Sequence, residues 1–374
     1  MLKRTYNDLS KFIKQDKVLI IYGARRIGKT TLLKEFLKTY TAKYNFVSGD
    51  DIHIHEILSS SDIKKIKEFC DGYSLLIIDE AQNIKNVGHG LKIITDHVPN
   101  LQVIATGSSA FDLANKIGEP LVGRKIVLTM FPLAQCELSL DFNKYELRQN
   151  LENYLIFGSY PEVLTMNKKE DKITYLREIT GSYLYKDILS FFNLKNPQIL
   201  QKLTKLLAFQ IGQEVSVNEL ATKLGVDVKT VARYLDLLEK SFIIFRLSGY
   251  GKNLRTEISK KNKYYFVDNG IRNAVISQFN SIEDRADIGQ LFENFLISER
   301  IKKNTYSFSY SNSYFWRTYD QNEVDYIEEK DDVINGFEFK WNADAKVKAN
   351  PFLKKYPNAS LKVINQENYL EFVV

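Results

Sequence analysis

Between residues 18 and 130 two patterns alternate along the chain. Five short strand-like runs, "KVLIIYG", "KYNFVSGDD", "YSLLIIDEA", "LQVIATGSS" and "RKIVLTMF", are separated mostly by stretches with helical spacing, such as "GKTTLLKEFLKTY". Apolar strands joined through helices predict a parallel sheet covered on both faces, an α/β core at 1–130. The pattern changes over 131–210. There "NLENYLIFGSYPEVL" and "TYLREITGSYLYKDILSFF" repeat their apolar positions at helical intervals and predict amphipathic helices. Residues 211–262 predict a compact helix-turn-helix with a wing. Residues 263–374 predict a second mixed unit, with a helix over 286–303 and aromatic strands after it.

Composition narrows the class. A chain of 374 residues fits two to three domains at about 150 residues each. With 44% hydrophobic and 26% charged residues, it has the make-up of a folded chain. The net charge of +6 suits an acidic partner such as nucleic acid without identifying one. Two distant cysteines, Cys70 and Cys136, no signal-like start and no long apolar run predict a cytoplasmic protein without membrane attachment.

The most specific chemistry lies at 23–30, Gly-Ala-Arg-Arg-Ile-Gly-Lys-Thr, between an apolar strand and an amphipathic helix. This is the G-x-x-x-x-G-K-[ST] phosphate loop in the context its mechanism needs. Gly23 and Gly28 let the backbone close around phosphates, with Ala24, Arg25, Arg26, Ile27 and Thr31 completing the cradle. Lys29 reaches the β- and γ-phosphates, and the Thr30 hydroxyl suits Mg²⁺. "LLIIDEAQ" ends a second apolar strand with Asp79, placed for the outer shell of Mg²⁺, and Glu80, placed to orient or activate a water. ATP with Mg²⁺ is the expected ligand, and hydrolysis the expected reaction. Arg25 and Arg26 read equally as phosphate contacts or as solvated loop residues.

Further along, "VIATGSSAF" presents Thr106, Ser108 and Ser109 at a strand end, where a hydroxyl would face the γ-phosphate. Thr106 is the favoured candidate. Arg124 in "LVGRKIVL" reads either as a surface residue or as a transition-state arginine, acting in cis or from a neighbouring subunit of an oligomer. His53 and His55, beside Asp50 and Asp51, read as a polar loop rather than a metal site. With four histidines in the chain, no Ser-His-Asp or Cys-His set stands out.

The stretches "YGARRIGKTTLL", "LLIIDEAQN", "IATGSSAF", "LVGRKIVLTMFPL", "YLIFGSYPEV", "KYYFVDNGIRN", "GQLFENFLISE" and "WRTYDQNEVDYI…FEFKWN" span nearly the whole chain. In them the sequence resembles the AAA-type ATPases of bacteria and archaea that carry a C-terminal domain of unknown function. The resemblance implies an ATPase core, a winged helix and a C-terminal α/β domain similar to restriction-endonuclease folds. Ser159 departs from the pattern, in which two glycines precede the Tyr-Pro.

In "VSVNELATKLGVDVKTVARYLDLLEKSFIIFRL", Ala221 and Gly225 mark the close packing and the turn of a helix-turn-helix. Its second helix would offer Lys229, Thr230 and Arg233 to the major groove of double-stranded DNA. Six basic residues against one acid between Arg246 and Lys263, Lys252 and Arg255 among them, suit phosphate contacts on the wing. The alternative is a packing module with a solvated charged face.

Near the end, Glu338-x-Lys340 is one of six acid-x-Lys triplets and means little alone. Asp325, thirteen residues upstream, lies in a second strand-like stretch that could pair with it. Two strands could then bring Asp325 and Glu338 to one Mg²⁺, with Lys340 on the face of Glu338 to position a water. Glu293 resembles the upstream acid of such nucleases, and Glu323 shares a face with Asp325. These residues admit two readings: phosphodiester cleavage, or a charge cluster in a domain that binds a partner and does not cut.

Overall fold

The computed structural model describes residues 2–108, 120–185, 188, 196–251, 261–318, 320, 322–343 and 351–374. The candidates Ser109, Lys252 and Arg255 lie outside the described residues.

The five expected strands form one parallel sheet: β1 Val18–Tyr22, β2 Tyr44–Ser48, β3 Leu75–Asp79, β4 Gln102–Gly107 and β5 Lys125–Thr129. Their order is β2-β3-β4-β1-β5. Strand β1 shows why the runs are apolar throughout. Side chains alternate across a strand, so Leu19 and Ile21 enter one core and Val18, Ile20 and Tyr22 the other. Helix α1, Lys29–Leu37, covers the first face with Leu32, Leu33 and Phe36. Helices α2 (Ile52–Leu58), α3 (Ile63–Cys70) and α4 (Val87–His97) cover the second. His53 and His55 thus belong to a helix rather than a loop, because Asp51 caps its start by accepting from His53 N at 2.9 Å.

The helical region includes α5 (Leu151–Phe157), α6 (Pro161–Thr165), α7 (Lys169–Glu178) and α8 (Pro197–Phe209). The helix-turn-helix pair follows as α9 (Val217–Leu224) and α10 (Val228–Lys240). Gly225 ends α9 in the left-handed region, φ 66°, which glycine enters without a side-chain clash. Asp227 caps α10 by accepting from Thr230 N at 2.7 Å.

The second sheet contains β6 (Glu214–Val215), β7 (Ile244–Gly249), β8 (Asn262–Phe266), β9 (Asn312–Arg317), β10 (Glu323–Lys330), β11 (Val333–Phe339) and β12 (Ser360–Ile364). Its order is β12-β11-β10-β9-β7-β8-β6. Strand β7 of the wing pairs in parallel with β9, Ser248 opposite Tyr314 and Gly249 opposite Phe315. Wing and C-terminal unit therefore share one sheet, and a division at 262/263 falls inside β8. Helix α11 (Asn269–Val275) and the long α12 (Ile288–Tyr306) pack against these elements. Helix α12 runs past 303 because Tyr306 is an anchor. Its ring meets Tyr6 edge-on at 5.3 Å, and its hydroxyl accepts from Phe131 N at 3.0 Å.

Candidate functional site

The loop from Gly23 to Thr30 joins β1 to α1. A side chain at Gly23 would place its Cβ 2.2 Å from the Met130 carbonyl oxygen, so the loop can lie this close to the end of β5 only as glycine. Gly28 caps α1 with φ 94°, which turns the next backbone N–H groups toward the loop. Lys29 is buried, and its Nζ donates to the carbonyls of Gly23 at 2.8 Å and Ala24 at 2.9 Å. Ile27 is fully buried, and its carbonyl accepts from Arg4, which also reaches Phe131 O at 3.0 Å and Glu137 at 2.8 Å. Arg4 thereby ties the loop to the chain after β5.

One connected hydrogen-bond network joins the loop to the ends of β3 and β4. Thr30 Oγ1 donates to Asp79 Oδ2 at 2.6 Å. Thr106 Oγ1 donates to Asp79 Oδ1 and accepts from Glu80 N at 3.1 Å. Gln82 Nε2 donates to the Glu80 carboxylate, and Gln82 Oε1 accepts from Ser108 N at 3.3 Å. Thr106 is completely buried. Its hydroxyl is engaged by the Asp79 carboxylate and by the Glu80 backbone N–H, and so braces both positions from behind.

A cavity of about 520 Å³ lies over this network. Arg25, Arg26, Gly28, Lys29, Thr30 and Thr31 line one side, and Glu80 lies at its end. Pro161, Glu162 and Thr165 of α6 line the other side. Arg26 reaches Glu162 and Glu178 at 3.9 Å each. Arg124 is elsewhere. It precedes β5 at the end that pairs with Val18, whereas the loop leaves β1 after Tyr22. That separation is about 13 Å along the strands, and Arg124 pairs instead with Asp96 at 2.8 Å. It is out of reach of phosphates on its own loop. The oxygens of Thr30 and Asp79 fit Mg²⁺, which takes hard oxygen ligands and keeps several waters.

The C-terminal candidates do come close together. Strands β10 and β11 are antiparallel, with Tyr326 opposite Phe337. Asp325 Oδ2 accepts from Phe339 N at 2.7 Å, and Lys340 Nζ lies 3.9 Å from the buried Glu338. Among the described residues no three His, Cys, Asp or Glu side chains are grouped in the manner of a metal cluster. A lysine supplies the positive charge. Lys263 of β8 is 1% exposed, with Nζ 3.5 Å from Glu293 Oε1 and bonded to Glu323 Oε1. Burial alone would depress its pKa, but Glu293, Glu323 and Asp325 outweigh burial and raise it. Burial, then the Glu293 carboxylate, pushes Asp325 up to about 7 against the pull of Lys263. Glu293 also accepts from the Tyr265 hydroxyl at 2.6 Å. In the sequence Lys263 ends the basic run that begins at Arg246. Its place in the second sheet puts it inside, out of reach of a phosphate backbone.

On the helix-turn-helix, Lys229 and Arg233 are exposed one turn apart on α10. The Thr230 hydroxyl is engaged with Asp227 Oδ2 at 2.7 Å, so it serves the helix cap.

A family described as an AAA domain matches residues 15–139. That match and the sheet agree: the N-terminal part has an AAA-type P-loop ATPase fold. Two families described as domains of unknown function match 148–282 (DUF8612) and 288–370 (DUF4143). An uncharacterized protein of Haemophilus influenzae is 24% identical, over 87% of this chain and 83% of its own length. One from Methanocaldococcus jannaschii is also 24% identical, over 96% and 85%. Among solved structures, the Walker-type ATPase of Pyrococcus abyssi is similar at 15% identity and a TM-score of 0.45, over 69% of this chain and 91% of that one. No helix among the described residues is long and apolar enough to cross a membrane.

Sequence reasoning missed Arg4, Gln82, the α6 wall and the role of Lys263. A signal existed for α6, since "YLIFGSYPEV", one of the stretches that carry the family resemblance, runs into its first turn. Nothing local marks Lys263 as buried.

Proposed function

We propose that this chain binds ATP with Mg²⁺ in the P-loop cavity and hydrolyses it, as a switch whose state is relayed to the C-terminal sheet. The observation that carries the reading is the continuous network Thr30–Asp79–Thr106–Glu80 beside the buried Lys29. The N–H groups at the start of α1 and the Lys29 ammonium would bind the phosphates. Thr30 and Asp79 would hold Mg²⁺, which when bound neutralises charge on the β- and γ-phosphates. Glu80 would orient the attacking water and draw on its proton, with Gln82 fixing the carboxylate and Thr106 its backbone. Phosphate release by the wild type, Lys29→Ala and Glu80→Gln tests this reading. Turnover in the wild type that survives Lys29→Ala would overturn it.

For the C-terminal unit, the placement of Lys263 among Glu293, Glu323 and Asp325 favours a module that binds over a nuclease that cuts. Lys263 already meets part of the charge of those acids, so a metal there would have to share them with it. Double-stranded DNA is the proposed partner of α10, through Lys229 and Arg233. Arg124 has the exposure to serve a neighbouring subunit of an oligomer. Mg²⁺-dependent nicking of any DNA or RNA that Lys340→Ala abolishes would favour the nuclease instead.

A further inference from the structure

Arg26 spans the nucleotide cavity from the phosphate loop to the helices opposite. Its Nη1 lies 3.9 Å from Glu162 Oε2 of α6, and its Nη2 lies 3.9 Å from Glu178 Oε1 at the end of α7. At that distance the pairing is Coulombic, since N–H···O hydrogen bonds run about 2.7–3.2 Å. Arg26 and Glu162 both line the cavity. Arg26 also holds φ at 65°, a left-handed conformation that residues with a Cβ rarely adopt and that collects at functional sites. Tyr175 of α7 senses the whole group. Burial, then the Glu162 carboxylate, raises its hydroxyl pKa, while Arg26 pulls it down and Glu178 adds to the rise.

These pairs are weak and replaceable. Arg26, Glu162 and Glu178 are half-exposed, and water screens ion pairs there. A polyphosphate offers a guanidinium several ionised oxygens at once, in the bidentate geometry that arginine binds best. Phosphates in the cavity and the two carboxylates are therefore rival partners for one side chain. The carboxylates also have a route to the rest of the chain. Helix α6 packs against α7, and α7 against α11. Asp268 caps α11 and accepts from Ser159 N just before α6. Both holders of Arg26 thus lead to Asp268, just past the end of β8 in the second sheet.

We infer that Arg26 is the nucleotide sensor of this chain: a bound triphosphate draws the guanidinium from Glu162 and Glu178 and so releases α6 and α7 from the loop. The inference rests on the ATP reading and names the residue through which that site signals. Coupling between binding events is reciprocal. The carboxylates therefore oppose ATP binding as strongly as ATP opposes their hold on Arg26, and they act as a built-in brake on the site.

Calorimetric titration of the full chain with Mg²⁺ and the non-hydrolysable analogue adenylyl imidodiphosphate tests it. Glu162→Gln with Glu178→Gln removes both charges at exposed positions and keeps the side-chain shapes. This double variant should bind the analogue about three- to tenfold more tightly than the wild type, the scale of two half-exposed ion pairs. In an Arg26→Gln background the rival cation is gone. The same two substitutions should there gain less than about twofold, because the cycle reads the coupling through Arg26. A packing role for the two glutamates predicts the opposite sign, a loss of affinity. Plain repulsion between carboxylates and phosphates predicts an equal gain in both backgrounds. Either result, or an unchanged affinity in the double variant, overturns the inference and leaves the ATP reading standing. No binding of the analogue by the wild type would overturn the ATP reading and the inference together.

Discussion

The backbone N–H of Ser159 donates to Asp268 Oδ2 at 2.7 Å, joining positions 109 residues apart. Ser159 lies just before α6, which walls the nucleotide cavity. Asp268 follows β8, the strand that carries Lys263. Asp268 Oδ1 also accepts from Ile271 N at 3.1 Å and so caps α11. A Cβ at Gly158 would come within 2.0 Å of Asp268 Oδ1, so the approach requires glycine there. Asp268→Ala would strip acceptors from two buried N–H groups, each costing about 1–3 kcal/mol. Urea denaturation should show that loss, with Asp268→Asn recovering part of it. If α6 responds to nucleotide, the alanine variant should also lose ATP affinity beyond what its reduced stability explains.

Lys263→Met should be among the most damaging substitutions in the second sheet. It leaves Glu293, Glu323 and Asp325 without their internal cation, and breaking a buried pair from one side costs about 3–5 kcal/mol. Thermal melting would record the loss. The wild type should melt at the same temperature with Mg²⁺ or with a chelator when no nucleotide is present. A Mg²⁺-dependent rise that Asp325→Asn abolishes would restore the metal reading.

Asp325 gives a pH signature. Its carboxyl is pushed up to about 7 in the folded chain, first by burial and then by Glu293. A group that holds its proton more tightly when folded favours the folded state at low pH. That contribution is complete below the unfolded value, near 4, and is lost as pH rises through about 7. Compared with Asp325→Asn, which keeps an acceptor for Phe339 N, the wild type should lose stability between pH 5 and pH 8. Denaturation midpoints that differ by a constant amount over that range would refute the assignment.

At the nucleotide site, Glu80→Gln should keep ATP affinity and lower turnover about 10²–10⁴-fold, the usual contribution of a positioned acid or base. Thr106→Val should lower turnover by less, since Thr106 acts through Asp79 and Glu80. Nucleotide titration beside phosphate release separates the two effects.

Removing Lys229 and Arg233 together should weaken DNA binding without regard to sequence. Each lost phosphate contact should flatten the logarithmic salt dependence by about 0.9. An unchanged slope would remove α10 from the DNA interface.

The ATPase part was legible because its signals are local. A loop motif, the apolar strand before it and an acid pair at another strand end lie within short windows, and the parallel sheet assembles them in that order. The β10–β11 hairpin was legible for the same reason, with Asp331 and Asp332 forming its turn. Lys263 was not. In the sequence it closes a run of basic residues, and only pairing of β8 within the second sheet sets it against Glu293 and Glu323, 30 and 60 positions away. Arg4 was hidden in the same way, since its partners at Ile27, Phe131 and Glu137 are distant in sequence. Arg124 stayed open between a surface residue and a transition-state arginine, because only the direction of β5 shows that it lies at the far end of the sheet from its own loop.

Strand β8 is five residues long, and its length matters more than its size suggests. Lys263 near one end and Asp268 just past the other are set at a fixed distance by the rise of an extended chain. One residue inserted between them would turn the lysine out of the acid cluster or pull the aspartate from Ser159. Nor could the chain be divided at that strand, since each piece would keep an unpaired edge able to recruit foreign strands. Inheritance should therefore keep this segment free of gaps, and exchange of C-terminal units between relatives should cross over outside it.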